Sequence, residues 1–451
     1  MVQKRLEQLN CRKADSSDDI PSRLLIVASD ILSGPLTHIY NMSTQDGIVP
    51  RQWKSAKIHP VPKCRNPSLN DIRPISLLPV ISKILERLVA DSMMSKLIEL
   101  YGPNQYGFRP NSSTCLANIK LHDYVTELLE RKNICGVIVL SFDLTRAFDK
   151  VRYDVLLRTL LNSDLPHNFV RWIKSYLQNR KQFVSFKDVR SSNVDVASGV
   201  PQGSILGPYL FGIFIGSLAP AHDTTCMIKY ADDIALVIPH ERLSVSNVVV
   251  NEEIENVRKW TEDHAFQLNT QKPKFMFIDK SRVEERPKPL LKECHQMKIL
   301  GIKYDNNLKW TSHIHDICKK ASQCIYLLRS LRKELTKKEL VLVYNNLIRS
   351  VLEYNAPVFV GVNQTESAML ERIQRRCHRI ICGNDCKGSQ FSPLSARRSI
   401  SSQKLFMKIQ KTDNLLHRHF PNFLQNHASK LMMPVLHTRR RAMSFFSFLY
   451  E

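Results

Sequence analysis

Two apolar runs that end in carboxylates constrain this 451-residue chain more than any other feature. Residues 136–142 read GVIVLSF and stop at Asp143, and residues 227–238 read MIKYADDIALVI, with Asp232 and Asp233 at the centre. A short Val/Ile-rich run without charge reads as a strand buried on both faces. Two apolar halves split by a polar dipeptide read as a β-hairpin with Ala231, Asp232 and Asp233 at its tip. Apolar strands rarely carry a carboxylate at their end without a partner for its charge. If the two strands are neighbours in one sheet, Asp143 and Asp232 meet at the same edge. Clustered carboxylates repel unless a cation neutralises them. Mg²⁺ suits such a place, because it takes hard oxygen ligands, few of them from protein. Two ions held this way can stabilise both the attacking and the leaving oxygen of phosphoryl transfer. Neighbouring strand residues point to opposite faces, so Asp232 and Asp233 cannot be equal ligands. Asp is also a common turn residue, so the dipeptide by itself reads equally as a solvent-exposed turn.

Charge adds a second constraint. Lys and Arg number 65 against 42 Asp and Glu, a formal net charge of +23. An excess that large implies a polyanionic partner, with nucleic acid ahead of an anionic membrane. From Gly361 onward there are 15 Lys and Arg against 5 Asp and Glu, so the C-terminal end is the most basic part. Hydrophobic residues at 43% exclude wholesale disorder. Eleven cysteines without dense spacing read as reduced thiols, not a secreted disulfide framework. The charged N-terminus carries no secretion signal, so the expectation is an intracellular protein of the nucleus or cytoplasm. Residues 197–222 carry no Asp, Glu, Lys or Arg, but their prolines and glycines argue against a membrane span.

The spacing predicts helices over 22–43, 80–100, 116–131 and 251–266, with further helices down to about Asn179 and from His313 onward. On the helix 80–100, Ile84, Leu85, Leu88, Met94 and Leu97 form the apolar side and Lys83, Glu86, Arg87 and Lys96 the polar side. Strands are expected over 56–63, 274–278 and 298–304, a helix over 145–157, and a solvated loop over 282–289.

The segment IKYADDIALV resembles the polymerase motif of reverse transcriptases, as do FDLTRAFDKV (142–151) and SGVPQGSILGPYLF (198–211). DIRPISLLPVISKILERLV (71–89), NQYGFRP (104–110), QLNTQKPKFMFI (267–278) and KILGIKYDNNLKWTSHI (298–314) follow the family's order. The flanks DDIPSRLL, PRQWKSAKIHPVPK and LERIQRRCHRIICG are similar to those of non-LTR retrotransposon polymerases of the LINE and jockey type. The resemblance implies an α+β right-hand polymerase. Its parts would be an N-terminal extension (1–60), fingers (61–135), a palm with an antiparallel sheet (136–305), a helical thumb (306–385) and a basic helical tail (386–451). It implies RNA-templated DNA synthesis from dNTPs on a DNA primer, with two Mg²⁺ ions or Mn²⁺ in their place. Asp143, Asp232, Asp233 and the carbonyl of Leu144 would be the metal ligands, and Lys272 the acid that protonates pyrophosphate. Lys63, Arg73, Phe148 and Gln202 would bind the nucleotide, Phe148 lying under its sugar as a gate against ribonucleotides.

Other residues allow two readings. Arg372, Arg375, Arg376 and Arg379 lie opposite Leu370, Ile373, Cys377 and Ile381 on one helix, and the global charge favours a phosphate-facing stripe over a merely solvated face. His313, His315 and Cys318 with Cys294 and His295, and Cys377, Cys382 and Cys386 with His378, lack paired zinc spacing. Trp53, Trp172, Trp260 and Trp310 read as packing residues. Arg439, Arg440 and Arg441 are compatible with nuclear targeting or a nucleic-acid tail. The expectation is a polymerase fragment without an endonuclease. A catalytically unused RNA-binding remnant and a host-adapted ribonucleoprotein polymerase stand as alternatives.

Overall fold

The computed structural model describes residues 1–12, 17–18, 20–68, 71–186, 189–241, 246–268, 274–280, 291–383, 391–411, 414–417 and 444–445. The chain opens with helices α1 (Val2–Glu7), α2 (Ser22–Val27) and α3 (Ser29–Asp46), then strands β1 (Ser55–Pro62) and β2 (Ile72–Leu77). Helices α4 (Val80–Glu99) and α5 (Thr114–Glu130) lead to β3 (Ile134–Asp143), α6 (Tyr153–Leu161) and α7 (His167–Leu177). Next come β4 (Arg180–Phe186), β5 (Val189–Arg190), β6 (Val194–Val196), α8 (Gly207–Gly216), β7 (Cys226–Tyr230), β8 (Asp233–Glu241) and α9 (Ser246–Asp263). The strands end with β9 (Lys274–Asp279), β10 (Lys292–Glu293), β11 (Gln296–Ile299) and β12 (Ile302–Asp305). Helices α10 (Thr311–Ser330), α11 (Lys337–Val343), α12 (Ser350–Leu352), α13 (Gln364–Cys382) and α14 (Leu394–Ile409) follow.

Two compact units share these elements. The first takes Met1–Phe108, Leu144–Ala219 and Val257–Leu268, and the second Arg109–Asp143, Pro220–Asn256 and Asn269–Glu451. In the second unit a sheet runs β10-β9-β3-β8-β7. β3 pairs antiparallel with both β8 and β9, which places it centrally, and Val137, Ile138, Val139 and Leu140 are fully buried. Burial on both faces is why its sequence is a continuous apolar run instead of an alternating one. In the first unit a second sheet runs β2-β1-β4-β5, with β6 also on β4. Its hairpin β1–β2 carries Pro60, Pro62 and Pro74, which cannot donate to a ladder and suit a half-exposed sheet.

Several expectations need correction. The helix over 22–43 breaks at Ala28 into α2 and α3, and Gly47 ends α3 in the left-handed conformation. The strand over 298–304 is two strands, β11 and β12, reversing at Leu300 and Gly301, both with positive φ. Residues 145–157 are not one helix. Arg146 has φ 50°, Ala147–Lys150 is a single 3₁₀ turn, and α6 starts only at Tyr153. The reason is competition for carbonyls. Phe148 O accepts from Val200 N at 2.8 Å and Val151 O from Gly199 N at 2.9 Å, so neither is available to an α-helical ladder. β2, β4, β5 and β6 were not foreseen. Glu86 is not on a polar face: it is 1% exposed. The loop 282–289 lies outside the described residues.

Trp172, Trp260 and Trp310 are buried. In the first unit Trp172 stacks on Tyr176 at 5.6 Å and Trp260 on Phe266 at 5.7 Å. In the second unit Trp310 packs against His122 at 5.2 Å and Phe359 at 6.3 Å. Among the described residues no helix is long and apolar enough to cross a membrane.

Candidate active site

The second unit carries the carboxylates. β7 and β8 are joined by a two-residue turn, Ala231-Asp232, with Tyr230 opposite Asp233 as the last pair of the hairpin. Ala231 has φ 55°, as tight turns between twisted strands require. Asp233 therefore already belongs to β8, and Asp232 alone occupies the turn with Ala231. The ladder between β3 and β8 continues to its end, where Asp143 lies opposite Asp233. The neighbouring of the two strands, which the sequence reading posed as a condition, is met. Asp143 and Asp232 are half-buried and Asp233 is exposed. A cavity of about 220 Å³ opens beside them, lined by Ser141, Tyr230, Asp233, Lys298 and Gly301 among others. Residues 298–301, the end of β11 and the turn into β12, thus line this cavity.

The donor type suits a hard cation: carboxylates brought to the same end of two paired strands. Among the described residues no group of three or more His, Cys, Asp or Glu is gathered as a metal cluster.

The first unit carries the residues expected at the nucleotide. The loop Ser198–Ser204 is clamped from two sides. On one side Gly199 and Val200 donate to the turn Phe148–Val151, and the Ser198 hydroxyl donates to Asp149 O at 3.1 Å. On the other, Ser76 N of β2 donates to Gln202 O at 2.6 Å. Two glycines permit this. At Gly199, φ 88°, a Cβ would meet Asp149 O at 2.7 Å, and at Gly203, φ 124°, it would meet Ser76 O at 2.6 Å. The Gln202 amide nitrogen donates to Asp149 Oδ1 at 2.8 Å. Burial raises the Asp149 carboxyl above its ordinary value, opposed by that hydrogen bond and by the Arg146 and Lys63 charges. Phe148 is half-buried, stacked on Phe211 at 4.4 Å and edge-on to Phe108 at 5.8 Å. A cavity of about 430 Å³ is lined by Asp149, Gln202, Ser198 and Arg180, with β4 and β6 residues.

Beneath this loop lies Glu86 of α4, which sequence reasoning misassigned. Its carboxylate accepts from Ile205 N at 2.8 Å and Leu206 N at 3.2 Å, at the start of α8. A carboxylate there satisfies donors that a helix cannot pair internally and complements the helix dipole. Desolvation raises its pKa, against the backbone bonds and the Arg180 charge.

Lys63 and Arg73 are exposed on the β1–β2 hairpin. Arg73 pairs with Val61, and Lys63 N extends the ladder by donating to Asp71 O at 2.8 Å. Residues two apart share a face, so Lys63 and Arg73 project from the same side. Leu144 is buried and bridges to Leu268. Lys272 lies outside the described residues, as do Cys386 and Arg439 to Arg441. On α13, Arg372, Arg375, Arg376 and Arg379 are exposed, while Leu370, Ile373, Cys377 and Ile381 are buried. His313 lies between the rings of Trp310 and Phe359, and burial pushes its pKa down to about 4. His378 sits edge-on to Phe391 at 5.4 Å. Both imidazoles are packing groups.

Comparison with known proteins places these motifs. The family described as "Reverse transcriptase (RNA-dependent DNA polymerase)" matches residues 61–304, more than half of the chain. The chain is 28% identical over 372 residues to the probable RNA-directed DNA polymerase from transposon BS of Drosophila melanogaster, covering 78% of this chain and 40% of that protein. It is 26% identical over 405 residues to the RNA-directed DNA polymerase from mobile element jockey of Drosophila melanogaster, covering 85% and 43%. It thus spans about two-fifths of the length of these curated relatives. Among solved structures, apo telomerase from Candida tropicalis aligns over 86% of this chain and 68% of its own, at 13% identity and a TM-score of 0.45.

Proposed function

The chain belongs to the reverse transcriptase (RNA-dependent DNA polymerase) family, of the non-LTR retrotransposon kind, and from that premise we propose that it extends a DNA primer along an RNA template. The observation that carries the reading is the register of the second unit's sheet, which sets Asp143 opposite Asp233 with Asp232 in the adjoining turn. In this reading Asp143 and Asp232, with Asp233 and the Leu144 carbonyl, would hold two Mg²⁺ ions, Mn²⁺ substituting. When bound, the ions supply charge neutralisation at the reacting phosphates. The residues of the chain itself position and exclude. Lys63 and Arg73 neutralise the triphosphate from one face of the β1–β2 hairpin. Gln202 contacts the incoming nucleotide, and Phe148, held by Phe211 and Phe108, lies under its sugar. Lys272 protonates the leaving pyrophosphate. Positioning of this kind supplies most of the rate in phosphoryl transfer.

The Arg372, Arg375, Arg376 and Arg379 stripe takes phosphates of the template–primer hybrid, whose A-like form is read by backbone and shape. The fingers (61–135), palm (136–305), thumb (306–385) and tail (386–451) assignments belong to the same proposal. A primer-extension assay on a homopolymeric RNA template with an oligodeoxynucleotide primer tests it. dNTP-dependent extension in Mg²⁺ is expected. Absence of extension in both Mg²⁺ and Mn²⁺, from a folded protein that binds the hybrid, overturns it.

A further inference from the structure

Gln202 has an ambiguous side chain. An amide can present its nitrogen or its oxygen, and the two ends are near-isosteric. Here the ambiguity is resolved by Asp149. Gln202 Nε2 donates to Asp149 Oδ1 at 2.8 Å, and an ionised carboxylate can only accept. Among the described residues nothing donates to Gln202 Oε1. The backbone around the pair leaves little freedom: Gln202 O accepts from Ser76 N, and the Asp149 carbonyl accepts from Ser198 Oγ. Gly199 lies so close to Asp149 that a Cβ would fall 2.7 Å from its carbonyl oxygen. Asp149 and Gln202 also line the same cavity of about 430 Å³.

We propose that Asp149 is a positioning residue that turns the Gln202 amide nitrogen inward, so that the loop offers the incoming nucleotide a hydrogen-bond acceptor, Gln202 Oε1, in place of a donor. The proposal rests on the reading of Gln202 as a nucleotide contact. The group it selects is a donor on the nucleotide, a sugar hydroxyl or a base N–H. Asp149 itself touches no substrate. Arg146 and Lys63, whose charges act on its carboxyl, help keep it ionised and therefore accepting.

Two measurements test this. The first needs no catalysis. With the protein labelled with ¹⁵N at glutamine side chains, the Gln202 Nε2 resonance is assigned by its loss in Gln202→Leu. One proton of that amide is expected to be shifted and protected from exchange in the wild type. Both features should vanish in Asp149→Leu and weaken in Asp149→Asn, where either amide orientation can pair. An unprotected Gln202 amide in the wild type overturns the proposal, whether or not the chain polymerises.

The second is a kinetic cycle of Asp149→Leu, Gln202→Leu and the double variant in primer extension. Asp149→Leu should raise the dNTP KM roughly tenfold, the size expected for one hydrogen bond to a charged group, with kcat held within about twofold. If Asp149 acts through Gln202, the double variant is no worse than Gln202→Leu alone. Additive losses, or a fall in kcat with a lowered melting temperature, assign Asp149 to structure and overturn the proposal. A wild type that fails to extend any primer defeats the polymerase reading instead, and the amide resonance then decides this proposal by itself.

Discussion

The carboxylates of the second unit and the loop of the first are fixed by different means. Asp143 and Asp233 face each other because a ladder running from Ile134/Glu241 to Asp143/Asp233 sets their register. Gln202 is where it is because a few discrete bonds, to Asp149, Ser76 and the turn at Phe148, hold a loop with two positive-φ glycines. A ladder is redundant, since removing one side chain leaves the other pairings in place. A clamp is not, since each bond is a large share of the whole. Substitutions in the sheet should therefore change chemistry without changing structure, and substitutions that take away a partner of the loop's backbone should change both.

The largest expected effect tests the ladder. Asp143→Asn or Asp232→Asn should abolish extension while the melting temperature and template–primer binding stay near normal, because affinity comes from phosphate contacts elsewhere. Asp233→Asn should cost less, as it is the exposed one of the three carboxylates. Full polymerisation by Asp232→Asn, measured on the same hybrid, would break the carboxylate assignment.

Next in size is the gate proposed beside the loop. Phe148→Val should raise ribonucleotide incorporation by tens-fold while dNTP use stays measurable. The half-buried ring stacks on Phe211, so it also packs. If packing were its whole role, Phe148→Ala would cost about 3–5 kcal/mol and lower both activities together. Parallel dNTP and rNTP assays with a melting curve separate the two.

A third test reaches beneath the loop. Glu86→Ala leaves the Ile205 and Leu206 N–H groups buried without their acceptor, a loss of about 1–3 kcal/mol for each such donor. Glu86→Gln keeps an acceptor and should lose less. Chemical denaturation gives the order, and a Glu86→Ala protein as stable as the wild type would show the clamp to be as redundant as the ladder.

The last test returns to the sheet. Lys229 of β7 is 1% exposed, and burial lowers its pKa from 10.5 to about 7. Between pH 7 and 10.5 the unfolded chain binds this proton more than the folded one, so stability rises with pH across that window and is level below it. Lys229→Met should be more stable than the wild type at pH 7, with the gap closing as pH rises to 9 or 10. Melting curves at three pH values check the sign, and a gap that widens with pH would contradict it.

The sheet of the second unit was legible because its strands carry their own explanation. Val137 to Leu140 and Ile234 to Ile238 are apolar on both faces, and the polar break at 231–233 marks the turn. The sheet of the first unit was not. RKQFVSF at β4 mixes charges with apolar residues, and what makes it a strand is its pairing with β6 and with β1, the latter more than a hundred residues earlier. Glu86 has the spacing of a solvent-facing residue on α4, and its partners are the backbone of α8, more than a hundred residues away. The turn at 147–150 depends on Arg146 at positive φ, which nothing about an arginine announces. Asp149 could have been noticed, since the same FDLTRAFDKV segment that supplied Asp143 and Phe148 contains it, but only the fold shows its bond to Gln202.

Register also governs how this gene can drift. β3 is paired on both sides, to β8 and to β9, and strand side chains alternate faces. Exchanges between Ile and Leu, or Ile to Val, along residues 137–140 or 234–238 conserve shape closely enough to cost no more than about 1.5 kcal/mol each. Deleting one codon in the same stretches is a different event. It moves every following residue of the strand to the other face and separates Asp143 from Asp233 along the ladder. A copy of this sequence can thus accumulate many apolar point changes in its central sheet and keep its carboxylates aligned, while a single three-base deletion there ends that alignment.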